Sequence, residues 1–323
     1  PISSLCSMSP ARCRKVLSVI RSSDAQDLET WVDARFPEAQ SAQTIIDLPP
    51  IPADEVLAFP ESHKPLVTIL IPVYNEWIIT HRCLWSILQY TEGDYEVIIA
   101  DDCSTDETAN IAQYVTGVTV VRQEQNQRFL KNCNSAAEKA RGDFLLLLNN
   151  DTTVTEGWLA PLLKTLDAPD VGIVGPKLLF PNGKLQEAGG IIWDDASGWN
   201  YGRADDPSRP QYSYVRETDY VSGAALMVRR SLWQELGGFD ETFVPAYSED
   251  TDLCFSARAA GYKVVYQPAS AVVHYEGMTN GTDLGGGQKQ YQVVNQQRFL
   301  EKWQEELTNF HYPNAEQVSR ARD

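Results

Sequence analysis

The sequence predicts an α/β fold: a mainly parallel, twisted central sheet with helices on both faces. Three observations predict it. Short, nearly continuous apolar runs rich in β-branched residues recur between residues 66 and 149. Segments with helical spacing of apolar residues separate them. The 323 residues are 43% hydrophobic and 22% charged, which gives a chain of this length a sizeable core.

Taken in order, residues 1 to about 45 carry mixed spacing, with short helices expected around Val16, Val19 and Ile20 and around Leu28, Trp31 and Val32. Residues 47–65 hold five prolines and no sustained period, so they read as an extended linker. "LVTILIPV" (66–73) has the composition of a strand buried on both faces. A helix follows over 78–90, with Ile79, Leu84, Ile87 and Leu88 inward. "YEVIIA" (95–100) is the second strand. "STDETANIAQYV" reads as a helix capped by Ser104 or Thr105. "VTVV" (118–121) is the third strand, "FLKNCNSAAEKA" the third helix and "DFLLLLN" (143–149) the fourth strand. Beyond residue 175 the pattern loosens, with strands expected at 190–193 and 220–228. Helices are expected at 231–236, 250–260 and 288–303. The expected organisation is a helical connector and linker (1–63), an α/β domain (64–310) and a C-terminal tail (311–323).

The net charge of −17 argues against nucleic acid as a partner, because phosphate backbones need local positive charge. An anionic small ligand remains compatible, since one arginine and one metal ion can reverse a local field. No apolar run is long enough to span a bilayer. The six cysteines form no CxxC pair and read as reduced thiols in a cytoplasmic protein. In that setting the Asn280-Gly281-Thr282 sequon stays unmodified. A first residue that is Pro1 rather than methionine suggests a piece of a larger multidomain chain.

Parallel sheets bind ligands just past the carboxyl ends of their strands. Polar residues stand at three such ends: Pro72-Val73-Tyr74-Asn75-Glu76, Asp101-Asp102-Cys103-Ser104 and Asn149-Asn150-Asp151. Singly, each has a plain explanation, as a helix cap, a loop or a turn. Their convergence on one edge favours a site. The first strand is followed by neither a Gly-x-Gly-x-x-Gly nor a Walker sequence, which argues against a dinucleotide site.

"VTILIPVYNE", "EVIIADDCSTDET", "GDFLLLLNNDTTV", "SGAALMVRRSLWQELGGFDETF", "YSEDTDLCFSARAAGYKVVY" and "VVHYEG" resemble, in this order, the motifs of family 2 glycosyltransferases. The similarity is to the rhamnosyltransferase-like branch of these inverting enzymes with the GT-A fold, over about residues 64 to 305. The resemblance implies a nucleoside-diphosphate sugar donor (a UDP- or dTDP-sugar), a saccharide or lipid-linked saccharide acceptor, and a divalent cation, Mn²⁺ or Mg²⁺. It implies a role in bacterial surface polysaccharide synthesis, at the cytoplasmic side and peripheral to the inner membrane. By position, Tyr74 packs on the nucleobase and Asp101 accepts its N–H, with Pro72, Glu76 and Asp102 beside them. Asn149-Asn150-Asp151 resembles the family's Asp-x-Asp metal motif, with Asn149 in place of the first carboxylate and Asp151 retained. His274 matches a second metal ligand of some relatives. Relatives read Asn-x-Gly-Phe where this chain has Asn126-Gln127-Arg128-Phe129, so Arg128 either faces the diphosphate or turns to solvent.

"SEDTD" supplies a general base in the family. Asp250 is the expected base and Glu249 orients the acceptor; the plain alternative is a helix start capped by Ser248. The helix would be anchored by Leu253, Ala257 and Ala260, and its dipole would keep Asp250 ionised. Gly223 and Ala224 lack bulk and let backbone approach the donor. The aromatic-rich segment 191–207 is expected near the acceptor, flat rings suiting sugar faces. Two other readings stay open: a nucleotidyltransferase, and a non-catalytic nucleotide-sugar-binding module.

Overall fold

The computed structural model describes residues 56–275, 290–313 and 315–321. The expected helices before residue 46, residues 47–55 of the proline-rich linker and the Asn280 sequon lie outside the described residues. The chain divides into two compact units, 1–45 and 46–323, and the described residues all belong to the second.

Its elements run β1 (Leu57–Ala58), β2 (Val67–Val73), α1 (Trp77–Tyr90), β3 (Tyr95–Asp101), β4 (Val115–Thr116), β5 (Thr119–Arg122), α2 (Arg128–Ala137), β6 (Phe144–Leu148), β7 (Thr152–Val154) and α3 (Leu159–Thr165). Then come β8 (Val171–Leu179), β9 (Leu185–Glu187), β10 (Gly190–Ile192), β11 (Gly198–Asn200), β12 (Arg216–Glu217), β13 (Ala225–Arg229), α4 (Arg230–Leu236), α5 (Glu249–Ala259) and β14 (Lys263–His274). Helices α6 (Gln290–Lys302), α7 (Gln304–Phe310) and α8 (Val318–Ala321) close the chain.

The main sheet runs β12-β14-β8-β13-β6-β2-β3-β5. Strands β5, β3, β2 and β6 are parallel neighbours. The chain steps outward from β2 through β3 to β5, then returns to place β6 on the other side of β2. That reversal opens a crevice at the carboxyl ends of β2 and β6. Strand β13 runs antiparallel between β6 and β8, pairing Ala225 with Leu148.

The four leucines of β6 show how the sheet is held. Leu146 and Leu148 join the core on one face, with Ile69, Ile71 and residues of α1. Leu145 and Leu147 join the core on the other, with residues of α2, α4 and α5. Strict alternation thus divides one apolar run between two layers. A third cluster, containing Leu185, Ile191, Trp193, Tyr201 and Tyr212, lies around β9 to β11.

Several expectations are corrected. Residues 107–113 form a 3-10 helix rather than an α-helix, and its cap is Asp106, which accepts from the Thr108 N–H. Only Thr108 and Ile111 of that segment are buried, too narrow an apolar face to hold a longer helix. Strand β13 begins at Ala225, and Tyr220 keeps only an isolated bridge to Gly190. Leu57 and Phe59 are buried in the core, so the last part of the expected linker is packed structure. No helix among the described residues is long and apolar enough to cross a membrane.

Candidate active site

A cavity of about 840 Å³ opens at the predicted strand ends. Of the residues expected there, Pro72, Tyr74, Asp102, Arg128, Asn149, Asn150, Gly223, Ala224, Glu249, Asp250 and His274 line it. Glu76, Asp101 and Asp151 do not.

Asp101 is 1% exposed, and both its oxygens are engaged by the protein. Oδ2 lies 2.6 Å from Arg122 Nη1, and Oδ1 accepts the Ser104 N–H at 2.9 Å. It therefore braces the loop after β3 and does not face the cavity. The carboxylate that does is Asp102, whose oxygens accept the N–H groups of Gln127 (2.6 Å) and Arg128 (2.9 Å). Burial raises the Asp102 pKa, and these two donors partly oppose it. Glu76 is exposed, outside the cavity, at the start of α1 with φ 61°. Asn75, φ 58°, binds that loop to its neighbour: its N–H donates to Ser104 Oγ and its Oδ1 accepts from the Thr105 N–H, both at 2.8 Å.

Arg128 has φ 68°, the left-handed region that favours glycine. The glycine of the resembled motif is thus a backbone requirement, and this chain keeps the loop's shape with an arginine in its place. Tyr247 and Ser248 are also left-handed, at φ 77° and 71°. Such residues gather where a site over-determines its backbone.

The Asn149-Asn150-Asp151 turn has three separate fates. Asn149 donates its backbone N–H to Ala224 O at 2.9 Å, which joins the turn to the start of β13. Asn150 Nδ2 donates to Thr80 Oγ1 on α1 at 2.9 Å. Asp151 is 2% exposed, with Oδ1 3.2 Å from His274 Nε2. Sheet register makes that approach: β7 pairs antiparallel with β14, Thr152 opposite His274, and the Tyr275 N–H donates to Asp151 O. His274 Nδ1 lies 3.0 Å from Gln186 Oε1. In the tautomer that donates Nδ1–H to that carbonyl, Nε2 presents its lone pair on the side of Asp151. One carboxylate oxygen and one imidazole nitrogen thus converge, a donor set that fits a divalent cation whose other positions are filled by ligand oxygens. Among the described residues no group of three or more His, Cys, Asp or Glu is gathered as a metal site.

Across the cavity, α5 opens with Glu249 and Asp250. Ser248 makes no side-chain cap bond, so the plain alternative of a helix start capped by Ser248 does not hold. Asp250 Oδ2 instead accepts the Gly223 N–H at 2.8 Å, and Oδ1 the Thr251 N–H at 2.7 Å. A Cβ at Gly223 would lie 3.2 Å from Asp250 Cβ, a tight contact that Asp250 would have to relax by a few tenths of an ångström. Burial raises the Asp250 pKa, and the hydrogen bonds from Gly223 and Thr251 oppose it. Burial, with Asp250 adjacent, pushes Glu249 up to about 8. The third acid, Asp252, is structural, bonded to Lys302 Nζ (2.9 Å) and Trp303 Nε1 (2.8 Å) on and beside α6. Leu253 and Ala257 anchor α5 as expected, but Ala260 is exposed; Cys254 and Phe255 complete the buried face.

Trp199, Asn200 and Arg203 of the aromatic segment line the cavity, as do Tyr220 and Gln296. Glu187 lines it as well and was missed. Its local sequence, Leu185-Gln186-Glu187-Ala188-Gly189, gives a buried acid no signal apart from the glycine after it.

The sequence pattern of glycosyl transferase family 2 matches residues 68–236, more than half of the chain. The chain belongs to glycosyl transferase family 2. This family 2 chain is 30% identical over 246 residues to the O-antigen biosynthesis protein RfbC of Myxococcus xanthus, covering 72% of this chain and 19% of that protein. It is 26% identical over 249 residues to the N-acetylglucosaminyl-diphospho-decaprenol L-rhamnosyltransferase of Mycobacterium tuberculosis, covering 67% of this chain and 80% of that one. It thus spans about a fifth of the first relative's length. Among solved structures it is similar to GalNAc-T7, crystallised with UDP, GalNAc and Mn²⁺, with TM-score 0.60 and 20% identity over 75% of this chain and 50% of that chain. The fold of this family 2 chain is that of GT-A glycosyltransferases.

Proposed function

We propose that the chain is an inverting glycosyltransferase that moves a sugar from a UDP- or dTDP-sugar to a hydroxyl of a saccharide or lipid-linked saccharide. The observation that carries this reading is one cavity with the β2 and β3 ends at one side and Asp250, held by the Gly223 N–H, at the other. Tyr74, Pro72, Asp102 and Arg128 bind the nucleoside diphosphate. Gly223 and Ala224 let backbone approach the donor sugar. Asp250 removes the proton of the acceptor hydroxyl, whose oxygen attacks the anomeric carbon opposite the leaving group. The bond to the diphosphate breaks and its electron pair leaves with the diphosphate. Glu249 orients the acceptor. Asp151 and His274 would hold a divalent cation, Mn²⁺ or Mg²⁺, with the imidazole favouring Mn²⁺. When bound, the ion supplies charge that offsets the negative charge growing on the departing diphosphate. The names of the two relatives support a role in O-antigen-type polysaccharide synthesis and, from the rhamnosyltransferase, a lipid-linked acceptor.

The test is a panel of nucleoside-diphosphate sugars with Mn²⁺, read first as thermal stabilisation and then as release of nucleoside diphosphate. Stabilisation by UDP- or dTDP-sugars, followed by their turnover, is expected. Release of pyrophosphate instead identifies a nucleotidyltransferase. Binding with neither hydrolysis nor transfer identifies a non-catalytic module.

A further inference from the structure

A second buried acid shares the turn that holds Asp250. The N–H groups of adjacent residues Ser222 and Gly223 each hold one carboxyl oxygen: Ser222 donates to Glu187 Oε1 at 3.1 Å, and Gly223 to Asp250 Oδ2 at 2.8 Å. Asp250 Oδ1 is satisfied by Thr251. Glu187 Oε2 is different. Glu187 is 2% exposed and lines the cavity, yet Oε2 is buried with no hydrogen-bond partner among the described residues. A polar atom so placed costs stability unless a ligand completes it.

Its place in the sheet says which ligand. Strands β2 and β3, whose ends bear Tyr74 and Asp102, lie on one side of β6 and β13. Strand β9, which bears Glu187, pairs with β8 on the other side. The same side of the cavity carries Trp199 and Asn200 of β11 and Arg203 beyond it. Asp250 is held by the N–H next to the one that holds Glu187.

We propose that Glu187 binds the acceptor saccharide, its carboxyl donating a hydrogen bond through Oε2 to an acceptor hydroxyl next to the one that Asp250 deprotonates. This rests on the glycosyl-transfer reading above. For Oε2 to donate that bond it must carry the proton, while Oε1 accepts from the Ser222 N–H. Burial supplies it by pushing the Glu187 carboxyl up to about 8, against the pull of Arg203 and Arg216 and with the repulsion of Asp250. The other titratable groups that feel Glu187 are Tyr220, Cys254 on α5 and Tyr266 on β14, all of which stay neutral at neutral pH.

The experiment uses the full chain, UDP- and dTDP-sugars as donor probes and p-nitrophenyl glycosides as acceptor probes, with Glu187→Gln and Glu187→Leu beside wild type. Glu187→Leu should raise the acceptor KM about tenfold or more, with a much smaller change in kcat. Glu187→Gln, which can both accept from Ser222 and donate to a hydroxyl, should restore the KM. Above a pH of about 8 the wild-type acceptor KM should climb more steeply than that of Glu187→Gln, in which only Glu249, raised to the same value, still titrates. An acceptor KM unchanged in Glu187→Leu overturns the proposal. So does a rise confined to the donor KM, which would place Glu187 on the donor sugar, and so does Glu187→Gln behaving like Glu187→Leu. If Glu187→Leu does not fold, the comparison of Glu187→Gln with wild type above pH 8 decides alone. If wild type neither transfers nor hydrolyses any donor, the glycosyl-transfer reading fails, and it fails on wild type, separately from any result on Glu187.

Discussion

Asp250 has two demands on it: to be ionised before attack and basic enough to take a proton. Its hydrogen bonds from Gly223 and Thr251 favour the ionised form, while burial raises its pKa. The outcome is a carboxylate more basic than an exposed aspartate, closer to the working pH that suits a general base. Asp250→Asn should fold and bind donor, yet lose transfer by about a hundredfold or more. Glu249→Gln should cost less, chiefly in acceptor KM. Steady-state kinetics on both variants decides; activity in both would make the acidic cluster a helix start only. At this scale the sequence was partly legible. Asp250 and Glu249 could be picked out because a family motif marks them. Asp101 and Asp102 could not be told apart, because which neighbour faces the cavity depends on Arg122, twenty-one residues on, taking Asp101. Arg128 could be seen as a departure, but not that it keeps a left-handed backbone. Arg128→Gly should relieve about 1 kcal/mol of that conformation. It should melt no lower than wild type while binding nucleoside diphosphates more weakly by calorimetry. Unchanged affinity would turn the arginine to solvent.

At the scale of elements, the parallel half of the sheet was readable because each strand is a local apolar run, and β6 is the extreme case. The rest of the sheet was only partly so: a strand is expected over 220–228, where β13 runs from Ala225, but none at β8 or β14. Strand β14, Lys263–His274, is twelve residues long and contains Gln267, Pro268 and Ser270, which break any apolar period. Its pairing with β7 is nevertheless what brings His274 to Asp151. That pairing gives a prediction in two parts. Asp151→Ala should abolish divalent-cation-dependent donor turnover. His274→Ala should raise the Mn²⁺ concentration needed for half activity, because the imidazole is one donor of the pair. An unchanged Mn²⁺ titration would make His274 a structural partner of Gln186, and full activity in excess chelator would remove the metal from the proposal. The third cluster, around β9 to β11, illustrates the same limit. Its residues are expected near a ligand from their aromatic content, and β10 is expected at 190–193, but β9 and β11, three residues each, carry no period to read.

For the molecule as a whole, the domain edge and the acid content each have measurable consequences. We propose that residues 46–323 fold without residues 1–45. Removing 1–45 should leave the melting temperature unchanged, whereas removing 1–63 should lower it. The second cut takes Leu57 and Phe59 out of the core, and burying such side chains contributes about 1.5–3 kcal/mol each. Equal melting of the two truncations would return those residues to the linker. The buried acids act on the same stability through pH. Glu187 and Glu249 are both raised from 4.5 to about 8 in the folded chain. Between those values the unfolded chain releases the protons and the folded chain keeps them. The folded state then binds more protons, so stability falls as pH rises through that window. Asp170, Asp206 and Asp240 are lowered and act in the opposite sense, but only as pH falls through the ordinary aspartate range and below. The net charge of −17 also disfavours the compact state as carboxyls ionise, so a fall in melting temperature in wild type does not by itself identify the two glutamates. The difference between proteins does. Replacing both by glutamine removes two ionisations and leaves the surface charge at acid pH untouched. The double variant should therefore melt like wild type near pH 5, above wild type near pH 8, and with a shallower slope between. Parallel melting curves across that range would show that neither glutamate holds its proton on folding, and a site built on two buried neutral carboxyls would have to be given up.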